Sequence, residues 1–356
     1  MITTTTRQHQ LRQHLPGRTA ARAAGSVEHQ AALATRLTAR DKWLLALLYE
    51  HRVLTSAQIQ NAAFPSSRST RQRLRELYLW CAVSRFQPFR QLGSAPMHYV
   101  LGPAGAAVLA AEHGLEVKDL GYRHDRAMAI AHSQRLAHTI GVGDFFTSLI
   151  ARSRDPIRSG EGVTAWWSET RCARHFGDLV IPDAYGRWHS TTGELEFFLE
   201  HDTGSESLTK LARKLLAYAR LADSTGIATP VLFWLPTSRR EAGARSALAR
   251  IHAELDRTGD VPVATAAADL LNSDTACPSP AVEVWLPLNA TSAKQASPRY
   301  ELGELTRAWP ALAPAAASDL DDAIAPTSGQ AMAYRVPPPV PSPPDATPSR
   351  TRRPGS

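Results

Sequence analysis

The stretch from Leu37 to Gly114 alternates between helical and extended patterns in a fixed order. Three helices are predicted first, because apolar residues recur there at helical spacing and Thr38 and Thr55 can cap the first two. Two short extended segments follow and predict a β-hairpin. A further helix begins at Pro103, since proline is favoured in a first helical turn. This part of the chain is therefore expected to fold as a small helical domain with one hairpin.

Positive charge is concentrated in the same part of the chain. Residues 1–123 contain 16 Lys and Arg against 7 Asp and Glu, whereas the remainder contains 24 against 26. The net charge of +7 therefore comes from the N-terminal third, where a polyanion would be held. The arginines on or beside the third predicted helix, followed by those in the hairpin, are Arg68, Arg71, Arg73 and Arg75, then Arg85 and Arg90.

The order of three helices and a hairpin resembles the winged helix-turn-helix superfamily from Leu37 to Gly102. In that superfamily the third helix enters the major groove, where arginine bonds phosphate or guanine, and the hairpin reaches flanking phosphate. The resemblance implies that double-stranded DNA is the partner and that these six arginines contact it. A solvated basic face on a domain used for protein contacts is the interpretation left open beside it.

Beyond about residue 124 the pattern changes to mixed helices and strands. The core order is αβββαβ, so the expected class of the whole chain is α+β. The predicted elements are a helix over 125–152, strands over 163–169, 178–182 and 194–200, a helix over 205–222, a strand over 229–235, a helix over 238–257 and strands over 261–264 and 282–286.

Acidic residues lie at the ends of neighbouring predicted strands. Asp183 follows Pro182, and Glu200 and Asp202 close the next strand. Alternation along a strand puts Glu200 and Asp202 on one face, and Asp183 can meet them across the hairpin. Carboxylate oxygens are the ligands that Mg²⁺ prefers. These three acids are therefore candidate metal ligands, with Glu169 from the preceding strand as a fourth.

The element order and the acids resemble the PD-(D/E)xK, or restriction-endonuclease-like, nuclease fold. In that fold two acids ligate Mg²⁺ beside the scissile phosphate, and the metal activates a water molecule. The resemblance implies a catalytic centre at Asp183, Glu200 and Asp202 with Mg²⁺ or Mn²⁺. Asp202 stands where the motif has lysine, so either Lys210 or Lys214 supplies the ammonium from the next helix, or the site is wholly carboxylate.

The histidines of this region lack the spacing of a zinc site. His138 lies on the long predicted helix and is expected to be a core or interface residue. His201 lies between the two acids of its strand and is expected to point to the opposite face. The Gly-rich phosphate loop of ATP-driven enzymes is missing from the sequence as well.

The whole combination is similar to the replication-relaxation family of plasmids and integrative conjugative elements, from about Leu37 to Leu288. The features that carry the similarity are the arginine-rich third helix, Pro182-Asp183, the strand ending at Asp202, and the following helix with its lysines. That family is similar in turn to MobC-type relaxases, which nick transfer origins with carboxylates and metal. The resemblance implies a DNA-binding protein of replication initiation or DNA relaxation and mobilisation, with metal-dependent nicking of duplex DNA.

Two other functions stay open at the level of the sequence. One is a non-catalytic, winged-helix origin-binding or transcription-regulating protein with a vestigial nuclease fold. The other is an interaction platform that binds further conjugation or replication proteins through the proline-rich segment near residue 340.

Four regions are predicted along the chain: a disordered basic arm over 1–36, the winged helix-turn-helix over 37–123, the nuclease-like domain over 124–290 and a disordered Ala/Pro-rich tail over 291–356. The three cysteines are far apart and predict neither a disulfide framework nor a zinc site. A signal peptide and a membrane-length apolar stretch are both lacking, so a cytoplasmic protein without membrane contact is expected.

Overall fold

The computed structural model describes residues 12–13, 26–91, 93–155, 160–226, 228–255, 257, 261–271, 278–288, 298–310, 312 and 336–344. The chain divides into two compact units, residues 1–133 with 335–356 and residues 134–334. Helices and strands occur in both units, which confirms the predicted α+β class.

The first unit is mainly helical. Thr38 and Thr55 each close a capping box, with Asp41 and Gln58 respectively, so the two predicted caps are confirmed. Pro103 occupies the first turn of its helix, as predicted. The helices are α1 Val27–Arg36, α2 Ala39–His51, α3 Ser56–Ala63, α4 Ser67–Leu79, α5 Pro103–Glu112 and α6 His124–Ala129, with 3₁₀ turns at Val117–Leu120 and Ile130–His132.

A small antiparallel sheet completes the first unit. Its strands are β1 Arg12–Gln13, β2 Leu54–Thr55, β3 Val83–Gln87 and β4 His98–Leu101, in the order β1-β3-β4-β2. Strands β3 and β4 form the predicted hairpin. Leu44, Leu74 and Phe86 are fully buried and tie the helices to this sheet. The order of α2, α3, α4 and hairpin is the one that the sequence predicted.

The predicted disordered arm needs correction between residues 27 and 36, which form α1. Ser26 caps this helix, and Leu33 is buried where α1 packs against α5. Packing of Leu33 against a neighbouring helix stabilises this short helix, whose other residues are mostly polar or alanine. Residues 1–11 and 14–25 of the arm lie outside the described part of the chain.

The second unit contains a six-stranded mixed sheet. Strands β5 to β7 are joined as an antiparallel meander, β7, β8 and β9 are parallel, and β10 returns antiparallel. The order is β10-β9-β8-β7-β6-β5. The strands are β5 Gly162–Ser168, β6 Ala184–Ser190, β7 Gly193–His201, β8 Val231–Leu235, β9 Val263–Ala267 and β10 Leu286–Pro287.

Helices cover both faces of this sheet. On one face Phe146 stacks on Trp166 and Phe197. On the other, Leu215 and Tyr218 join a buried apolar cluster with the facing strand residues. The helices are α7 Leu136–Ser153, α8 Glu169–Phe176, α9 Leu208–Thr225 and α10 Ser238–Ala253, with 3₁₀ helices at Ala268–Leu270 and Leu302–Ala308. Phe146 belongs to α7, whereas Leu215 and Tyr218 belong to α9.

Three element predictions in this unit were wrong. The predicted strand over 282–286 keeps only its last residue, because residues 282–284 form a bend and a turn and β10 covers Leu286–Pro287. The long helix over 125–152 is interrupted at residues 133–135, and residues 178–182 form no strand. Ser168 caps the unpredicted helix α8, so Glu169 begins a helix instead of ending a strand. Because α8 uses the residues before 178, the second strand starts only at Ala184, and Asp183 precedes it.

The predicted disordered tail is wrong in two places. Leu302 and Leu305 are buried in the 3₁₀ helix, and Arg299 forms an ion pair with the buried Glu241. Val336 is buried in the first unit. Composition does not reveal such buried positions, because each is a single apolar residue within a segment that is otherwise not apolar. The rest of the tail lies outside the described residues.

Candidate functional site

Helix α4 presents three arginines to solvent along one face. Arg68, Arg71 and Arg75 are exposed and follow the i, i+3, i+7 spacing that aligns side chains on a helix. Within the described residues none of the three has an acidic partner. Uncompensated positive charge at this spacing can bind successive anionic groups.

Arg73, predicted to belong with them, is turned inward. Its guanidinium binds the buried Asp41 of α2 and Glu76 of its own helix, and it donates to the carbonyl of Arg36. Burial alone would raise the pKa of Asp41, but hydrogen bonds from Arg73 and Thr38 lower it below its usual value. Arg73 thus joins α2 to α4 and is unavailable to a ligand.

The two hairpin arginines also differ from each other. Arg85 lies in β3 with its guanidinium 4.1 Å from the centre of the Tyr78 ring, a cation–π contact that holds it against the helix. Arg90 lies just beyond β3 and is exposed. Arg90 is therefore accessible to a ligand, whereas Arg85 packs within the domain.

In the second unit a cavity of about 280 Å³ opens where β6 begins and β7 ends. Because β6 and β7 are antiparallel, Asp183 before β6 and Glu200 near the end of β7 come together. Helices α7 and α9 contribute basic groups to the same cavity. Its charged lining includes Arg135, His138, Asp183, Glu200, Asp202 and Lys214.

Glu200 is buried at the base of this cavity. Its carboxylate accepts hydrogen bonds from Lys214 Nζ and Tyr218 Oη, each at 2.5 Å. Lys214 and Tyr218 are four residues apart on α9 and so face the same strand. Burial, followed by the negative charge of Asp183, raises the pKa of Glu200 to about 7, against the opposing effect of Lys214. Glu200 can therefore take up or release a proton near neutral pH.

Asp183 is the second buried acid of the cavity. Its Oδ2 accepts from the backbone N–H of His201 at 2.8 Å, and its Oδ1 lies 3.1 Å from His138 Nε2. Burial alone would raise the pKa of Asp183, but His138, then Lys214, lower it. Burial works against protonation of His138 too, yet the bond to Asp183 raises its pKa. An anionic Asp183 beside a protonatable His138 is the resulting pair.

His201 points away from the acids, toward α7, as its place in the strand predicted. Its ring lies so close to Gly141 that a Cβ there would come within 2.3 Å of it. Burial, then the charge of His138, lowers the pKa of His201 to about 4. The ring is therefore neutral at physiological pH, and the Gly141 backbone makes room for it.

Three other predicted site residues pair with partners other than Glu200 and Asp183. Asp202 is held by Arg240 of α10 through both carboxylate oxygens, and it accepts from the Gly204 N–H. Glu169 pairs with Arg135. The third residue, Lys210, is exposed and pairs with Glu206, which lies just before α9. Of the two candidate lysines, only Lys214 reaches a buried acid.

The predicted divalent ion finds no ready-made ligand set. Within the described ranges, no group of three or more His, Cys, Asp or Glu side chains is arranged to hold a metal ion. Both oxygens of Glu200 face hydrogen-bond donors, and both of Asp183 are engaged as well. The residues in this arrangement therefore do not fit a metal, and the chemistry that they support is binding of an anion and proton transfer.

His138, Tyr218 and Arg240 were not predicted as members of the site. His138 was interpreted as a core or interface residue, although it contacts Asp183. The sequence did contain a signal for Tyr218: it lies four residues after Lys214, on the same face of a helix that follows an acidic strand end. Nothing in the local sequence links Arg240 to an acid 38 positions away.

Comparison with known proteins gives one family. The model of the Replication-relaxation family matches residues 45–232, which is more than half of the chain. The comparison with curated proteins yields no match, and neither does the comparison with solved structures. None of the helices in the described part of the chain combines the length and apolar character needed to cross a bilayer.

Proposed function

We propose that this chain binds double-stranded DNA through helix α4. The chain belongs to the replication-relaxation family and hence has a role in replication or relaxation. The observation that carries the proposal is the exposed row of Arg68, Arg71 and Arg75, which lacks acidic partners among the residues that the structure describes. The chain then acts at the DNA of a plasmid or integrative conjugative element, in replication initiation or in DNA relaxation and mobilisation.

The dimensions of α4 suit the groove of a duplex. From Arg68 to Arg75 the helix rises by about 10 Å, a length comparable to the ~12 Å width of the major groove. Preceding helices and a following hairpin, which carries the exposed Arg90, are the surroundings that a winged helix-turn-helix gives its third helix. The basic surplus of residues 1–123 strengthens the attraction for phosphate.

The first prediction concerns this arginine face. Replacing Arg68, Arg71 and Arg75 together by Ala should weaken binding to a 30-base-pair duplex by at least about tenfold at low salt. The plot of log affinity against log salt concentration should become shallower by about 0.9 for each phosphate that the variant no longer neutralises. Fluorescence anisotropy with a labelled duplex, titrated at several salt concentrations, measures both quantities.

The matched control removes the same charge from the second unit. Arg213, Arg220 and Arg250 are exposed there, and their triple replacement by Ala lowers the net charge equally. This control should keep the affinity and salt dependence of the unaltered chain. Equal weakening by both triple variants would show that net charge, and not α4, governs binding, and the proposal would fail.

Nicking of the duplex is a second candidate function, supported by the meeting of Asp183, Glu200 and Lys214 around one cavity. An ammonium beside a buried carboxyl can bind a phosphate oxygen and stabilise developing negative charge. Asp183 and Glu200 were predicted from their strand ends, and Lys214 was one of two lysines expected to supply the ammonium.

The second prediction tests this activity directly. Supercoiled plasmid carrying the element's own origin should convert to open circles with the unaltered chain whether Mg²⁺ or EDTA is present, and conversion should be lost in Glu200→Gln and in Lys214→Ala. Lys210→Ala serves as the control, since Lys210 pairs with Glu206 at the surface. Plasmid that stays supercoiled despite tight binding would favour the non-catalytic regulator.

A further inference from the structure

A proline-rich segment over residues 336–344 packs in the first unit of the chain. Its sequence is Val-Pro-Pro-Pro-Val-Pro-Ser-Pro-Pro, with six prolines in nine residues. The indole Nε1 of Trp43, on α2, donates a hydrogen bond of 2.6 Å to the backbone carbonyl of Val340. Trp43 itself is largely buried. A segment at the far end of the sequence is thus joined to the helical domain near its start.

The residues of the segment differ in how far they are buried. Pro337, Val340 and Ser342 are exposed, Val340 by 68%, whereas Val336 is only 2% exposed and Pro341 is buried. Val336 and Pro341 are therefore the positions at which the segment packs, on either side of the Val340 carbonyl that binds Trp43. A fully solvated tail would have no buried positions.

The chemistry of the contact favours specific binding. Proline fixes its own backbone, so a proline-rich strand loses little conformational entropy when it binds. Its carbonyls have no internal donors and remain available to a partner. An indole N–H beside a flat apolar ring satisfies both needs of such a strand, a donor and a packing surface.

We propose that the surface around Trp43 is a binding site for proline-rich segments and that residues 336–344 of the same chain are its tethered occupant. This inference goes beyond the proposed function, since it uses none of the residues assigned to DNA contact. When residues 336–344 leave the site, a proline-rich segment of a separate molecule can bind there.

The test uses the full chain and two substitutions in one segment. Val336→Asp places a charge at a buried position and should release the segment, whereas Val340→Asp changes an exposed side chain and should not. The indole N–H signal of Trp43, identified by NMR from its loss in Trp43→Phe, should exchange with water about tenfold faster in Val336→Asp than in Val340→Asp. Pro341→Glu is the second releasing variant if Val336→Asp fails to fold.

Binding of the free segment completes the test. A fluorescent peptide of residues 336–344 should bind Val336→Asp but neither the unaltered chain nor Val340→Asp, because their sites are occupied. Adding Trp43→Phe to Val336→Asp should abolish that binding, since Phe is aromatic but lacks the indole N–H that donates to the Val340 carbonyl. Equal peptide binding by the unaltered chain, or full binding by the Phe variant, would overturn the proposal. Dimers of the unaltered chain in sedimentation that dissociate in Val336→Asp would assign the occupant to a second copy and overturn the intramolecular form.

Discussion

Glu200 lies in surroundings that change the acidity of its carboxyl group. Its side chain is 2% exposed, and the groups around it include an ammonium, a phenol and the carboxylate of Asp183. Burial disfavours the carboxylate form, and so does a second negative charge close by. Lys214 opposes both effects without cancelling them. The carboxyl group therefore changes its charge close to pH 7 and not near its usual value of 4.5.

This shift predicts how stability depends on pH. Because the pKa of Glu200 is higher in the folded than in the unfolded chain, its contribution to stability is complete below pH 4.5 and is lost as pH rises to about 7. Glu200→Gln cannot ionise. The free energy of unfolding of the variant should therefore rise relative to the unaltered chain by up to about 1.4 kcal/mol per pH unit across that window. Urea denaturation at a series of pH values measures it.

A substitution that alters no charge, on the helix α9 that contacts Glu200, provides the control for that measurement. Leu215→Val, in the buried face of α9, should lower stability by a similar amount at every pH and so leave the shape of the profile unchanged. Parallel profiles for Glu200→Gln and the unaltered chain would mean that Glu200 ionises with its usual pKa, contrary to the prediction.

At the scale of elements, the first unit was the more predictable one. Thr38 and Thr55 specify where α2 and α3 begin, because a hydroxyl three residues before an acid or amide forms a closed local motif. Pro103 does the same for α5. Such signals are contained in four or five consecutive residues and need no tertiary contact, so a sequence is enough to locate them.

Partners at long range were not predictable in the same way. Helical spacing placed Arg71 and Arg73 on one helix but could not tell that Arg73 turns to Asp41, 32 positions earlier. Asp202 was expected to share a face with Glu200 and does line the same cavity, but its pairing with Arg240 just past the end of β7 was not expected. The spacing of residues along a strand predicts which side chains share a face, whereas their ion-pair partners depend on the tertiary fold.

The candidate acids illustrate both outcomes. Asp183 and Glu200 were expected to meet, and they do, although Asp183 precedes its strand instead of ending it. The antiparallel pairing of β6 and β7 makes the two descriptions equivalent in space, because the start of one strand lies beside the end of the other. Glu169 does not join these two acids, because it begins helix α8 instead of ending a strand.

At the scale of the whole molecule, two charge arrangements are carried by different units. The first unit contains the exposed arginines of α4, and the second contains the cavity in which acids and bases neutralise one another. An open cationic row attracts a polyanion over a Debye length, whereas a balanced cluster acts only on a group that enters it. Attraction of the duplex and chemistry on it are therefore expected to depend on separate residues.

That separation leads to a prediction in which each change affects one property. Glu200→Gln should bind the 30-base-pair duplex with a Kd within about twofold of the unaltered chain, since it leaves the arginine face intact. The triple replacement of Arg68, Arg71 and Arg75 should lower affinity and yet keep the pH profile of unfolding, because that profile follows Glu200. Anisotropy and urea titrations on the same two preparations decide the matter. A strongly altered affinity of Glu200→Gln for the duplex would place the cavity in contact with the bound DNA. The inference that the two units have separate roles would then be wrong.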